Sequence, residues 1–190
     1  RWRATIRESV NAANPVVVGD EVLASETYGP GAALLRVKPG GCDVVWQDDP
    51  KQRRKIFQAH WSTPIHHEGF LYGCSGRHTE NAELRCVEWK TGRVAWSEPG
   101  LSRTSLLMVE GHFFCLAEFG ELIVVRADPE KFERVAEIPL LDEPPAPVAE
   151  PPRMLRYPAW AAPILAHGLL YVRGADRLVC IELARDPAAK

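Results

Sequence analysis

One motif recurs four times in this 190-residue chain, and the recurrence restricts the fold more than any other feature. Pro15-Val-Val-Val-Gly-Asp-Glu-Val-Leu23 matches Pro64-Ile-His-His-Glu-Gly-Phe-Leu-Tyr72, and both match Pro163-Ile-Leu-Ala-His-Gly-Leu-Leu-Tyr171. Leu106-Leu-Met-Val-Glu-Gly-His-Phe-Phe114 is a degenerate fourth copy. A period of roughly 40 to 50 residues belongs to propeller blades or helical arrays. The choice between them falls on apolar spacing. Pro and Gly recur inside every unit, and the apolar residues alternate with period two rather than 3.6, which weighs against helices.

Each copy reads as two strands around a glycine turn, at Gly19, Gly69, Gly111 or Gly168, because short β-branched and aromatic runs flank it. A third strand follows at Leu34–Val37, Leu84–Val87, Leu122–Val125 and Leu178–Ile181. Two units continue into a fourth strand ending in tryptophan, at Val44–Trp46 and Val94–Trp96, the second through a Thr91-Gly92 turn. Phe132–Ile138 takes that place in the third unit. Asp128–Phe132 reads as a helical turn. The proline-rich stretch from Asp142 to Pro152 fits neither a central strand nor a helix and is expected to be an extended surface insertion.

The unit Pro-Val-Val-x-x-Gly-x-Leu-Tyr, a leucine-bearing third strand and Thr-Gly-x-Val-x-Trp resembles the PQQ-like β-propeller repeat, over nearly the whole chain. The resemblance implies an all-β propeller of four four-stranded blades, at about 8–47, 58–98, 101–140 and 156–185, with 142–155 as the insertion. His60-Trp-Ser-Thr-Pro64, Ser75–Arg85 and Tyr157–Pro163 further resemble bacterial PQQ-binding-like repeat proteins, whose better-known relatives are BamB-like outer-membrane assembly lipoproteins and quinoprotein alcohol dehydrogenases. That resemblance implies an extracytoplasmic location, periplasmic or secreted.

Propellers remove sheet edges by closing into a ring, so unpaired strands are informative. The fourth unit stops after its third strand, whereas residues 1–7 carry a lone strand with Trp2 in the place of Trp46 and Trp96. Either that strand completes the fourth unit in a four-bladed ring, or the chain is about half of a roughly eight-bladed propeller completed by further sequence or another chain. The chain opens on Arg1 rather than Met, which suggests a leader or a longer N-terminal part in the whole protein.

With 46% apolar residues, 25% charged residues and a net charge of -2, the composition gives no electrostatic case for nucleic acid. No apolar run approaches the roughly 20 residues of a membrane-spanning helix. The five cysteines show no metal-ligand spacing, and an odd number cannot pair completely within one chain. Buried thiols are expected, with a Cys74–Cys86 disulfide across a hairpin near Glu80 as the alternative.

In each blade the loop entering the first strand and the loop joining the second to the third lie at the same end of the sheet, and so share one face. The entry loops carry Asn11 and Asn14, His60 and Trp61, Arg103, and Tyr157 and Trp160. The other loops carry Glu26 and Tyr28, Arg77, His78 and Asn81, Glu118, and Arg173. This mixture of aromatic and polar groups is that of a ligand or peptide pocket. His60, His78 and Glu26 have suitable chemistry for a metal but no supporting spacing, and His66 and His67 point to opposite faces of a strand. No Cys-Cys pair or calcium-type carboxylate cluster matches a quinoprotein site, and no serine sits in a nucleophile elbow. Neither PQQ nor calcium is therefore expected, and no residue is assigned a catalytic role. The function expected is noncatalytic binding of a protein, peptide or glycan through this face; the alternative is a fragment of a quinone- or metal-dependent oxidoreductase.

Overall fold

The computed structural model describes residues 12–142 and 152–183. Among the described residues fifteen strands form four antiparallel sheets in chain order, the blades of a β-propeller. Blade one holds β1 (Val16–Val18), β2 (Glu21–Glu26), β3 (Gly31–Lys38) and β4 (Gly41–Gln47). Blade two holds β5 (Ile65–His67), β6 (Phe70–Ser75), β7 (Glu83–Glu88) and β8 (Val94–Pro99). Blade three holds β9 (Thr104–Val109), β10 (His112–Ala117), β11 (Leu122–Arg126) and β12 (Arg134–Ile138). Blade four has three strands among the described residues, β13 (Ile164–Ala166), β14 (Leu169–Arg173) and β15 (Leu178–Glu182). Trp2 and the greater part of the proline-rich insertion lie outside the described residues.

The repeated X-Gly pair sets the register of the first hairpin in three blades. Glu68-Gly69, Glu110-Gly111 and His167-Gly168 all have positive φ, the backbone of a two-residue turn whose twist matches the strands it joins. Strand alternation then sends two apolar rows to opposite faces of each sheet, so blades stack on one another. Leu23, Leu34 and Trp46 of blade one meet Leu71, Val87 and Trp89 of blade two, with Phe57 from the connecting segment. Tyr72, Leu84 and Cys86 meet Phe113, Cys115 and Val125 of blade three. Leu116 and Leu122 meet Leu170 and Val172 of blade four.

Tryptophans latch these stacks. The Trp46 indole donates to the Trp89 carbonyl at 2.8 Å, and Trp96 donates to the Asp128 carbonyl at 2.8 Å, in each case to the turn after the third strand of the next blade. The Trp46 ring lies so close to Gly92 that a Cβ there would sit 2.9 Å from it. The Thr-Gly turn therefore needs glycine for packing as well as for its φ of +71°. The latch also explains a departure from expectation: Asp128–Phe132 is not a helical turn. The Asp128 carboxylate accepts the Glu130 backbone N–H at 2.8 Å, an Asx turn that leaves its carbonyl for Trp96. Helix appears instead at Thr79–Asn81, one 3-10 turn.

The five thiols are free. Cys74 lies opposite Leu84 and Cys86 opposite Tyr72, an offset of two positions that keeps the two cysteines from facing each other. Burial pushes the Cys74 and Cys86 thiols up to about 11 and raises Cys115 further. In the folded protein, iodoacetamide at pH 8 is expected to label exposed Cys42 and Cys180, and the other three only after denaturation. Rapid labelling of Cys86 in the native state would contradict the stacking of blades two and three.

At the opposite end of the sheets from the Gly31 side, Glu21 is almost wholly buried. It accepts from Lys90 Nζ at 2.8 Å, Arg36 Nη2 at 2.9 Å and Trp89 Nε1 at 2.7 Å. Lys90 first, then Arg36, hold its carboxyl down to about 2 from the ordinary 4.5. A depressed folded value means that this stabilisation is complete above pH 4.5 and is lost as pH falls towards 2. The melting temperature should therefore fall steeply over that interval, and less steeply in Glu21→Gln. Equal slopes in both proteins would disprove the assignment.

Candidate functional site

The entry loops of blades two, three and four and the second-to-third loops of blades one to three meet around one ion pair. Glu118, just after β10, is 0% exposed and receives the Arg103 guanidinium through Nε at 3.1 and 3.0 Å and Nη2 at 2.6 Å. The Arg103 backbone N–H and Trp160 Nε1 add further donors, each at 3.3 Å, and the Thr79 side chain also hydrogen-bonds the carboxylate. Burial alone would raise the Glu118 carboxyl, but the hydrogen bonds from Arg103 and its other donors outweigh it and hold it below the ordinary value. Both groups are therefore charged at neutral pH. Arg103 Nη1 also reaches the Arg77 carbonyl, and Nη2 the Tyr157 hydroxyl, both at 3.4 Å.

Aromatic rings assemble over this pair. The Arg103 guanidinium lies 4.6 Å from the Trp61 ring centroid and 5.5 Å from that of Trp160, a cation–π arrangement with both. Trp61 and Trp160 are 4.6 Å apart, and Trp61 Nε1 donates to the Trp160 carbonyl at 3.2 Å. Ser105 Oγ donates to the same carbonyl at 2.8 Å, which fixes the backbone beneath the indole. The chain of rings runs on through His60, 4.9 Å from Trp61, to Tyr28, and in the other direction through Tyr157 to Phe119, stacked 5.3 Å away. Arg77 caps one end, its guanidinium 4.4 Å over Tyr28.

His60 is held neutral. Burial lowers its pKa first, then the charges of Arg103 and Arg77. Its Nε2 shares a 3.0 Å hydrogen bond with Tyr28 Oη, and its Nδ1 is buried without a hydrogen-bond partner among the described residues. An imidazolium would have to leave a proton unsatisfied there.

Three rings remain open to solvent: Trp160 is 40% exposed, Tyr157 49% and Phe119 47%. Two hollows flank them. One, of about 360 Å³, is bounded by Trp160, Pro158, Arg173 and the Gly174-Ala175 backbone. The other, a cleft of about 220 Å³, begins at Arg77 and includes Asn81, Ser75 and Arg85. The first hollow takes Trp160 itself into its lining, and the second is linked to the chain of rings through the stacking of Arg77 on Tyr28.

Of the residues expected on this face, Tyr28, His60, Trp61, Arg77, Arg103, Glu118, Tyr157 and Trp160 come together. Arg173 and Asn81 lie in the flanking hollows. His78 is exposed, and its backbone N–H is held by Asn81 Oδ1 at 3.2 Å. Asn14 is tied through its backbone to Thr63 Oγ1 at 3.0 Å and joins none of these contacts. Glu26 ends β2 with its side chain wholly buried and offers no surface to a ligand. Asn11 lies outside the described residues. Among the described residues no cluster of three His, Cys, Asp or Glu side chains has metal-binding geometry.

The sequence reading missed Phe119, Arg53 and Arg54. Phe119 is an apolar residue placed beside a turn glycine, Gly120, where burial cannot explain it. Arg53 and Arg54 belong to a run of cations from Lys51 to Lys55 between blades one and two.

Fold and site together define a β-propeller with an aromatic platform built over a buried ion pair. No protein-family model matches the chain, and no curated protein matches it. Among solved structures it is similar to a europium-containing methanol dehydrogenase, at 14% identity and a TM-score of 0.46. The match covers 69% of this chain and 26% of that one, so the chain spans about a quarter of that protein's length. Among the described residues no helix is long and apolar enough to cross a membrane.

Proposed function

We propose that this propeller is a noncatalytic binding protein, acting outside the cytoplasm, that holds an oligosaccharide across the aromatic platform of its loop face. The observation that carries this reading is the set of open rings, Trp160, Tyr157 and Phe119, supported from below by Arg103 and Glu118. Exposed aromatic surface of this extent marks an interaction site when it is held rigid. Sugar rings present C–H groups to the negative face of an indole or phenol, while their hydroxyls take hydrogen bonds from guanidinium groups at the margin. The platform supplies both, with Arg77 at one end and Arg173 beyond Trp160.

The reading as a binder rather than an enzyme draws on the state of the polar groups. Glu118 is saturated by its donors and His60 is engaged with Tyr28, so neither is poised to exchange a proton with a ligand. Cofactors are not required for such a role.

The test uses tryptophan fluorescence and calorimetry with cellohexaose, chitohexaose and a heparin-derived hexasaccharide. At least one should bind. Trp160→Ala should weaken it by roughly tenfold or more, as for a central aromatic anchor. Its melting temperature should fall by a few degrees only, because the ring is 40% exposed although its indole N–H donates to Glu118. Unchanged affinity in Trp160→Ala, or no binding of any of the three to the wild-type protein, would refute the reading.

A further inference from the structure

The cleft that opens at Arg77 has a charge unlike that of the rest of the protein. The chain carries a net charge of -2, yet this cleft of about 220 Å³ is lined by Arg53, Arg54, Lys55, Arg77 and Arg85 against one carboxylate, Glu83. Glu83 is already committed: its Oε2 accepts Arg85 Nη2 at 2.7 Å and Nε at 3.0 Å, and the Ser97 hydroxyl as well. Arg85 Nη1 donates to the carbonyls of Lys55 and Ile56, each at 2.7 Å, and the side chain is a structural brace. That leaves four cations. Among the described residues no carboxylate lies within 4.0 Å of Arg53, Arg54, Lys55 or Arg77.

The placement of these cations matters as much as their number. The Lys55 residue is 6% exposed and gives one ammonium proton to the Asp49 carbonyl, while Arg53 and Arg54 beside it are exposed. Ser75 Oγ accepts the Gln58 backbone N–H at 3.0 Å, which leaves its own proton to donate. Asn81 uses its carbonyl oxygen on His78, which leaves its amide N–H groups free in the same way. Apart from Glu83, the wall is therefore dominated by donors and positive charge, in a concavity that concentrates the field.

We infer that this cleft is a binding site for a compact oxyanion, the sulfate or carboxylate substituent of an acidic oligosaccharide whose neighbouring sugars rest on the aromatic platform. Arg53 and Arg54 supply forked donors from one wall, and Arg77 connects the cleft to the platform through its stacking on Tyr28. This rests on the oligosaccharide reading for the source of the oxyanion but not for the anion site itself.

Calorimetry at constant ionic strength separates the two. The probes are a heparin-derived hexasaccharide, the same hexasaccharide chemically desulfated, and inorganic sulfate. The wild-type protein should prefer the sulfated hexasaccharide by about tenfold or more, the worth of one or two charge-assisted hydrogen bonds. In Arg53→Gln/Arg54→Gln that preference should disappear, and Arg53→Lys/Arg54→Lys should restore part of it. Both sites are exposed, so circular dichroism and the melting temperature should match wild type. In Trp160→Ala both sugars should weaken while sulfate binding persists. If sulfate binds and is lost in the double Gln variant but no hexasaccharide binds, the cleft stands and the platform reading falls. If the double Gln variant keeps full affinity for sulfated sugar and sulfate, or the wild type does not distinguish sulfated from desulfated sugar and binds no sulfate, the cleft assignment is overturned.

Discussion

Replacing Glu118 by Gln should lower the stability of the protein by about 3 to 5 kcal/mol, the cost of leaving one member of a buried ion pair uncompensated. The carboxylate is 0% exposed, and the Arg103 side chain that it neutralises is 13% exposed. Glutamine preserves shape but turns one oxygen into an N–H₂ group aimed at guanidinium donors, so the site gains a donor clash as it loses its negative charge. The effect should reach the surface: Arg103 also positions Trp61 and Trp160, and Glu118 holds the Trp160 indole N–H. Urea unfolding followed by tryptophan fluorescence measures the first effect and oligosaccharide affinity the second. The paired change Arg103→Met/Glu118→Met should recover much of the stability but not the binding, because it removes both charges together. A loss below about 1 kcal/mol in Glu118→Gln would place the pair in the class of solvent-screened surface bridges and remove it as the support of the platform.

Trp89→Ala should be comparably damaging, at about 3 to 5 kcal/mol for the deletion of a large buried aromatic side chain. Trp89 lies within the core between blades one and two and packs against the His66 ring at 4.9 Å. Its indole N–H is bound to Glu21 at 2.7 Å, so truncation also strips a donor from a buried carboxylate. Its carbonyl receives the Trp46 latch, and the cavity left behind would free the Trp46 ring to move. Trp89→Phe should cost less, since it keeps most of the apolar volume and loses the donor. If Trp89→Ala unfolds at the wild-type urea midpoint, blades one and two do not depend on this contact.

How far the sequence carried this result differs between fold and site. The period-two runs and the X-Gly turns specify hairpins because both act locally, and the copied Pro-to-Tyr unit shows that the hairpins are stacked equivalents. The Asp128 turn was misread for the same local reason: a Pro-Glu-Lys run suits a helix, but the claim of Trp96 on the Asp128 carbonyl comes from the neighbouring blade. Shared placement on one face was legible for the loops, since it follows from strand direction. Depth was not. Glu26 and Glu118 occupy comparable loops, and nothing in their sequence neighbourhoods says that both are buried or that Arg103 meets Glu118. The cations between Lys51 and Lys55 passed unread, because the role of such a stretch depends on which cations find carboxylates in three dimensions.

The sheets are wired locally: among the described residues every hydrogen-bonded pair of named strands joins neighbours in the chain. Local pairing makes loop closure cheap, so each blade can form its sheet before the next, and folding can spread along the chain as it does in repeat arrays. The platform obeys a different clock. Trp61 and Trp160 are 99 residues apart, on blades two and four, and meet only when blade three is in place between them. The platform thus assembles after the blades that carry it, and Trp61–Trp160 contact is a signal that blades two to four have all folded.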